Sequence, residues 1–491
     1  MKFQIFIFLI LFTFQMHYAD TKEYELFSEQ QSEEEILQLL QNPYVNPNTK
    51  NLNGTPFLHF AIEKGYTKAT QKLIEKAANI NVKDYFNKTP LHYASEKGHL
   101  DLAKLLIEKG ANINEKNNYY DTPLHYASEK GHLDLAKLLI EKGANINEKN
   151  NYYDTPLHYA SEKGHLDLAK LLIEKGANIN EKNNYYDTPL RYAFEKGHLD
   201  LAKLLIEKGA NINEKGDNNS TPLHYASLNR HLDLAKLLIE KGANINEKNI
   251  GNYTPLHYAS LNGHLDLAKL LIEKGANINE KGDKNSTPLH YVSEKGHLDL
   301  AKLLIEKGAN INEKNIGNYT PLHYASEKGH LDLAKLLIEK GANINEKGDN
   351  NSTPLHSASL NGHLDLAKLL IEKGANINEK NIGNYTPLHY ASSNGNLDLA
   401  KLLIEKGANI NEKGDNNSTP LHFASEKGHL DLAILLIEKG ANINEKGDNN
   451  STPLHSASLN GHLDLAKLLI EKGANINEKI FNYTSSMHPK W

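Results

Sequence analysis

Two histidine positions recur along the chain, seven residues apart and typified by His92 and His99. Imidazole is the side chain best suited to binding metals and to moving protons near neutral pH. Twenty-three of the 25 histidines occupy these two positions. A metal site needs ligands converging from one side, often histidines joined by a carboxylate. Here the two imidazoles lie across a helix end, and both return with every copy of the surrounding sequence. Their abundance therefore reflects one structural role multiplied. Arg191 stands at the first position once and Asn396 at the second once, a drift that a scaffold tolerates. Ser95, His99 and Asp101 have the residue types of a hydrolase triad. Yet no GxSxG elbow accompanies them, and no copy differs from the others as a unique active site should. No phosphate loop GxxxxGK[ST] or dinucleotide loop GxGxxG is present. The absence of Cys excludes thiol catalysis, disulfides and cysteine-ligated zinc. The residues point to no enzyme, no metal and no cofactor.

The histidines are positioned by a module. The block TPLHYASEKGHLDLAKLLIEKGANINEK begins at Thr89 and returns every 33 residues up to Thr452. A diverged copy at Thr55 carries the extra Phe57, which makes thirteen copies. Thr89 suits a helix N-cap and Pro90 the first helical position. Leu91 and Ala94 then share one face, and Gly98 stops the helix. A second helix is predicted from about Leu100 to Lys109, with Leu102, Leu105 and Leu106 as its buried stripe beside Ala103. Gly110 ends it, and the recurring Asn112 and Asn114 read as backbone-bonding residues of a turn-rich tip. One such unit cannot bury its apolar side chains alone, so copies must stack on their neighbours. The sequence thus predicts an all-α, elongated array.

The 33-residue period, the TPLH tetrapeptide, GHLDLAKLLI and GANIN, in phase and in tandem from about residue 33 to 484, resemble the ankyrin repeat. The resemblance implies paired helices with projecting hairpin loops, stacked into a curved solenoid. It implies that the TPLH histidine ties one unit's backbone to its neighbour. It also implies a protein-protein interaction scaffold that binds through the concave face formed by tips and first helices. Asn112 and Ile113 stand where the family often has Asp and Val, which loses some charge but not the fold.

Residues 1–19 read as a signal peptide, with Lys2, an apolar run from Phe3 to Phe14 and small Ala19. The expected organisation is a signal at 1–19 and a linker with a partial capping repeat at 20–54. Thirteen repeats and the start of a truncated one follow at 55–484, then a tail at 485–491. Export to a secreted or extracytoplasmic location is expected, without stable membrane insertion after cleavage. With 55 Lys plus Arg against 61 Asp plus Glu, net charge is -6, and no basic excess suits nucleic acid. The expected partner is another protein, by analogy with exported arrays a host protein, bound by a monomer.

Variation between copies marks where such a partner would dock. The second-helix block is nearly constant, whereas the tips and the end of the first helix change. Tips read NNYYD at 117–121, 150–154 and 183–187, then alternate mainly between GDNNS and NIGNY. Tyr119, Tyr120, Tyr152, Tyr153, Tyr185 and Tyr186 form a row of paired aromatics, which suit interfaces because they bury much area at small entropy cost. Arg191 and Phe194 join that patch, and Tyr253, Tyr319 and Tyr385 form a milder continuation. Recent duplication with drifting tips explains the same pattern equally well. A structural or surface protein without one specific partner is the alternative reading. Fifteen N-x-S/T triplets, Asn218, Asn252 and Asn318 among them, would obstruct the tips if glycosylated.

Overall fold

The computed structural model describes residues 31–50 and 54–480. The signal at 1–19 and the tail at 485–491 lie outside the described residues. The chain divides into two compact units, Met1–Asn244 and Ile245–Trp491. The described residues contain 27 α-helices and no strand, and within each unit the helices stack as pairs in chain order.

In the first unit α1 spans Glu33–Leu40, followed by the pairs α2 (Phe57–Glu63) with α3 (Thr67–Glu75) and α4 (Pro90–Lys97) with α5 (Leu100–Glu108). The same pair recurs down to Pro222–Leu228 with Leu232–Glu240. The second unit repeats it from Pro255–Leu261 with Leu265–Glu273 to Pro453–Leu459 with Leu463–Glu471. First helices pack on first helices of the next copy, and second helices touch second helices more lightly. Ahead of the first pair, α1 lies on α3, and Ile36 and Leu40 are buried there. The carboxylate of Glu33 accepts the backbone N–H groups of Lys68 and Ala69 at 2.7 and 3.1 Å, which meets the positive end of α3.

Local chemistry sets the helix ends. Thr89 is extended and Pro90 opens α4. The backbone N–H of Thr89 donates to Nδ1 of His92 at 3.0 Å, so the side chain at the third helical position reaches back to the cap. Gly98 ends α4 at φ 77°, where a side chain is strained. The His132 ring of the next copy lies so close that a Cβ on Gly98 would stand 2.6 Å from it. Gly98 is therefore required both by its own backbone and by its neighbour.

Leu91, Ala94, Leu102, Ala103 and Leu106 are at most 2% exposed and form the core of their copy. Leu105 is only half-buried, which corrects its assignment to the buried stripe. At roughly 100° per residue, Leu102, Ala103 and Leu106 share one arc of α5. Leu105 lies about 100° from the middle of that arc, so it flanks the seam.

Candidate protein-binding face

The two histidine ladders are clamps. His92 receives the Thr89 N–H on Nδ1, so Nε2 carries the proton and donates to the carbonyl of Asp121, in the next tip, at 3.0 Å. His132 Nε2 reaches back to the carbonyl of Glu96 at 3.1 Å. Each copy is thus tied forward by one ring and backward by the other. Burial lowers the pKa of His92 from 6.5 to about 4, and His125, His158 and His257 behave alike. Ser95 is fully buried while the Asp101 side chain is 88% exposed, so these residues do not converge on one point. Among the described residues no group of three His, Cys, Asp or Glu has metal-binding geometry.

The asparagines form a third ladder. Asn112 donates its N–H to Asn81 Oδ1 at 2.8 Å, and Asn145 does the same to Asn114. Asn114 Nδ2 reaches the carbonyl of Gly143 at 3.1 Å. Beside it run ion pairs from one copy to the next, such as Lys116–Glu148 at 2.7 Å.

The NNYYD tips are tight loops. Asn117 Oδ1 accepts from the N–H groups of Tyr119 and Asp121 at 2.8 and 2.9 Å. Adjacent tips are joined through the backbone: Asn151 N–H donates to the Tyr119 carbonyl and Asn184 N–H to Tyr152, both at 2.9 Å. This row holds Tyr119, Tyr120, Tyr152, Tyr153, Tyr185 and Tyr186 outward, between 46 and 65% exposed. Tyr120, Tyr153 and Tyr186 sit at φ 62–64°, a left-handed conformation that the chain gives to Asn at the matching positions 87, 219, 252, 285, 318, 351, 384, 417 and 450. Tyr85 and Phe86 add 81% and 48% exposed rings to the same edge. Sequence reasoning passed over these two, although DYFNK aligns with NNYYD.

The other candidates sit differently. Phe194 is completely buried and offers no surface to a partner; it fills the core position that Ser95 holds elsewhere. Arg191 is mostly covered. Its Nε lies 3.0 Å from Asp187 Oδ1, an ion pair short of a directed hydrogen bond, and a terminal nitrogen lies 2.5 Å from Glu195. Its guanidinium stacks over Tyr192 and Tyr225 at 5.2 and 4.6 Å. Tyr253, Tyr319 and Tyr385 are half-buried, folded against His257, His323 and His389 at 5.3–5.8 Å.

A family model for ankyrin repeats, three copies in length, matches residues 27–117, 115–183, 181–249, 213–282, 256–348, 346–414 and 388–480. The chain belongs to the ankyrin-repeat family. No curated protein matches it. Ankyrin repeats are generally protein-protein interaction modules and non-enzymatic scaffolds. In this ankyrin array the TPLH histidine does bind the neighbouring copy's backbone. No described helix is long and apolar enough to cross a membrane.

Proposed function

We propose that this ankyrin-repeat protein is an exported, non-enzymatic scaffold that binds a partner protein through the tips and first helices of its first unit. The observation that carries the proposal is the conformation of Tyr120, Tyr153 and Tyr186. A bulky side chain in the left-handed region costs about 1–2 kcal/mol, and the chain places the better-suited Asn there in nine other copies. Strain kept where relief is one substitution away argues for selection on what those rings touch. The triplets that would accept glycans fall at Asn53, Asn87 and from Asn218 onward, so residues 88–217 carry none. The aromatic tips lie inside that interval, so none of the three carries a triplet of its own.

Export rests on residues 1–19 and is part of the proposal. N-terminal sequencing of protein recovered outside the producing cell is expected to begin near residue 20. For binding, the six tip tyrosines are replaced by Ser, and capture of interacting proteins is quantified beside wild type. Proteins held by wild type and released by the variant are expected. Equal capture by a variant with unchanged helix content and melting would defeat the proposal.

A further inference from the structure

The first unit contains a series of equivalent slots, each between the first-helix tyrosines of successive copies and bordered by the last tip residue and a glutamate. In the slot of Tyr93 and Tyr126 the chain supplies its own cation. Lys88 Nζ lies 5.5 and 4.4 Å from the two ring centres and 2.9 Å from Glu96. In the slot of Tyr192 and Tyr225 the chain does so again, with Arg191 over both rings and against Asp187 and Glu195. Two slots lie between these. One has Tyr126 and Tyr159 with Asp121 and Glu129, the other Tyr159 and Tyr192 with Asp154 and Glu162.

In these two the residue at the place of Lys88 is an aspartate. Asp121 Oδ1 receives only neutral donors, Asn150 Nδ2 at 2.9 Å and the Tyr159 hydroxyl at 3.4 Å, and Asp154 receives Asn183 Nδ2 at 2.9 Å. Among the described residues no cation lies within ion-pair distance of Asp121 or Asp154. Asp187, covered by Arg191, is 3% exposed, whereas Asp121 and Asp154 are half-buried and partly exposed. Burial, with Glu162, Asp121 and Asp187 nearby, raises the Asp154 carboxyl to about 6, and burial raises Asp121 as well. Neither carboxylate has a cation in contact, and the charge of Lys88 acts on Asp121 only from a distance. In the second unit the chain closes such slots with its own rings: Tyr253 lies 5.5 and 5.6 Å from Tyr258 and Tyr291.

We infer that the Asp121 and Asp154 slots receive two basic side chains, Lys or Arg, from an extended segment of the partner protein. The inference rests on the reading of this face as a protein-binding one. The flanking slots show what fits: a cation between two tyrosines and against a carboxylate. Stacked helices stand roughly 8–10 Å apart, and a segment in the extended polyproline II form rises about 3.1 Å per residue with three residues per turn, so that residues three apart share a face. The two basic residues are therefore three apart in the segment.

Fluorescence anisotropy of the full chain with a labelled peptide carrying arginines three residues apart tests this. The control peptide has glutamine at both places. Wild type is expected to prefer the arginine peptide by at least about tenfold, with the preference weakening in salt. The double variant Asp121→Lys and Asp154→Lys fills both slots as Lys88 fills its own, so the fold is kept and the preference is lost. Asp121→Asn with Asp154→Asn weakens it, and Ser352→Lys in the second unit leaves it unchanged. Equal binding of the two peptides by wild type, or an undiminished preference in the lysine variant, overturns the inference. If the arginine peptide ignores the lysine substitutions but is released by the six-tyrosine variant, the slots fail while the binding face stands.

Discussion

Acid should open this protein well before its carboxylates are all protonated. His59, His92, His125 and His158 in the first unit, and His257, His290, His323 and His389 in the second, are held neutral by burial. Their pKa falls from 6.5 to about 4. Where the Thr N–H occupies Nδ1, as at His92, a proton on that nitrogen also breaks the helix cap. Above pH 6.5 folded and unfolded chains are both neutral at these rings, and the clamps contribute in full. Between pH 6.5 and about 4 the unfolded chain binds protons that the folded chain refuses, so stability falls as pH falls. Below about 4 these rings add no further loss. At pH 5.5 each histidine costs about 1 kcal/mol, and at pH 4 and below roughly 3 kcal/mol. Four such rings in a unit amount to about 4–6 kcal/mol at pH 5.5, comparable with the whole stability of an ordinary domain. Urea unfolding followed by circular dichroism at pH 7.5, 6.5, 5.5 and 4.5 should show the midpoint falling steeply over this window. Arg191→His, which restores the missing ring, should steepen the fall. A midpoint flat from pH 7.5 to 5 would refute the claim that these imidazoles are buried and neutral.

Three further outcomes follow from the packing. The hydroxyl of Ser260 is fully buried without a partner, as are its counterparts Ser293 and Ser326. Ser260→Ala should therefore stabilise by about 1 kcal/mol in urea titration, and a loss would show that the hydroxyl is bonded. Gly131→Ala should cost about 2–4 kcal/mol, because φ is 77° and the new Cβ would stand 2.6 Å from the His165 ring; an unchanged calorimetric melt would contradict this. Leu271→Ala should cost about 2–5 kcal/mol, and Leu270→Ala clearly less, since Leu271 is fully buried and Leu270 half-exposed. Equal losses would mean that the burial of the second helix is misassigned.

The repeat made much of the molecule legible without coordinates. The period of 33 fixed the number and order of helix pairs, Thr89 and Pro90 fixed where a pair starts, and Gly98 and Gly110 fixed where its helices end. These are local effects of backbone conformation and capping, carried within one copy and then multiplied. The identity of the buried arc was only partly readable. Leu102, Leu105 and Leu106 look alike as sequence, and only the direction of the neighbouring helix separates them. Phe194 shows the same limit: an aromatic at a variable position reads as surface, yet its side chain fills the core.

What the sequence determined by itself was the module and its stacking, because an amphipathic unit repeated in tandem has one way to bury its apolar face. What the tertiary structure decided was which charges meet. Lys88, Asp121, Asp154 and Asp187 occupy one register position, and the sequence shows which copies carry a cation, Lys88 or Arg191, but not that the cation comes to lie between two rings. That placement arises between copies, where Tyr126 comes over Lys88 and Tyr225 over Arg191. The pairings span 38 and 34 residues of sequence, so they exist only once the layers are packed.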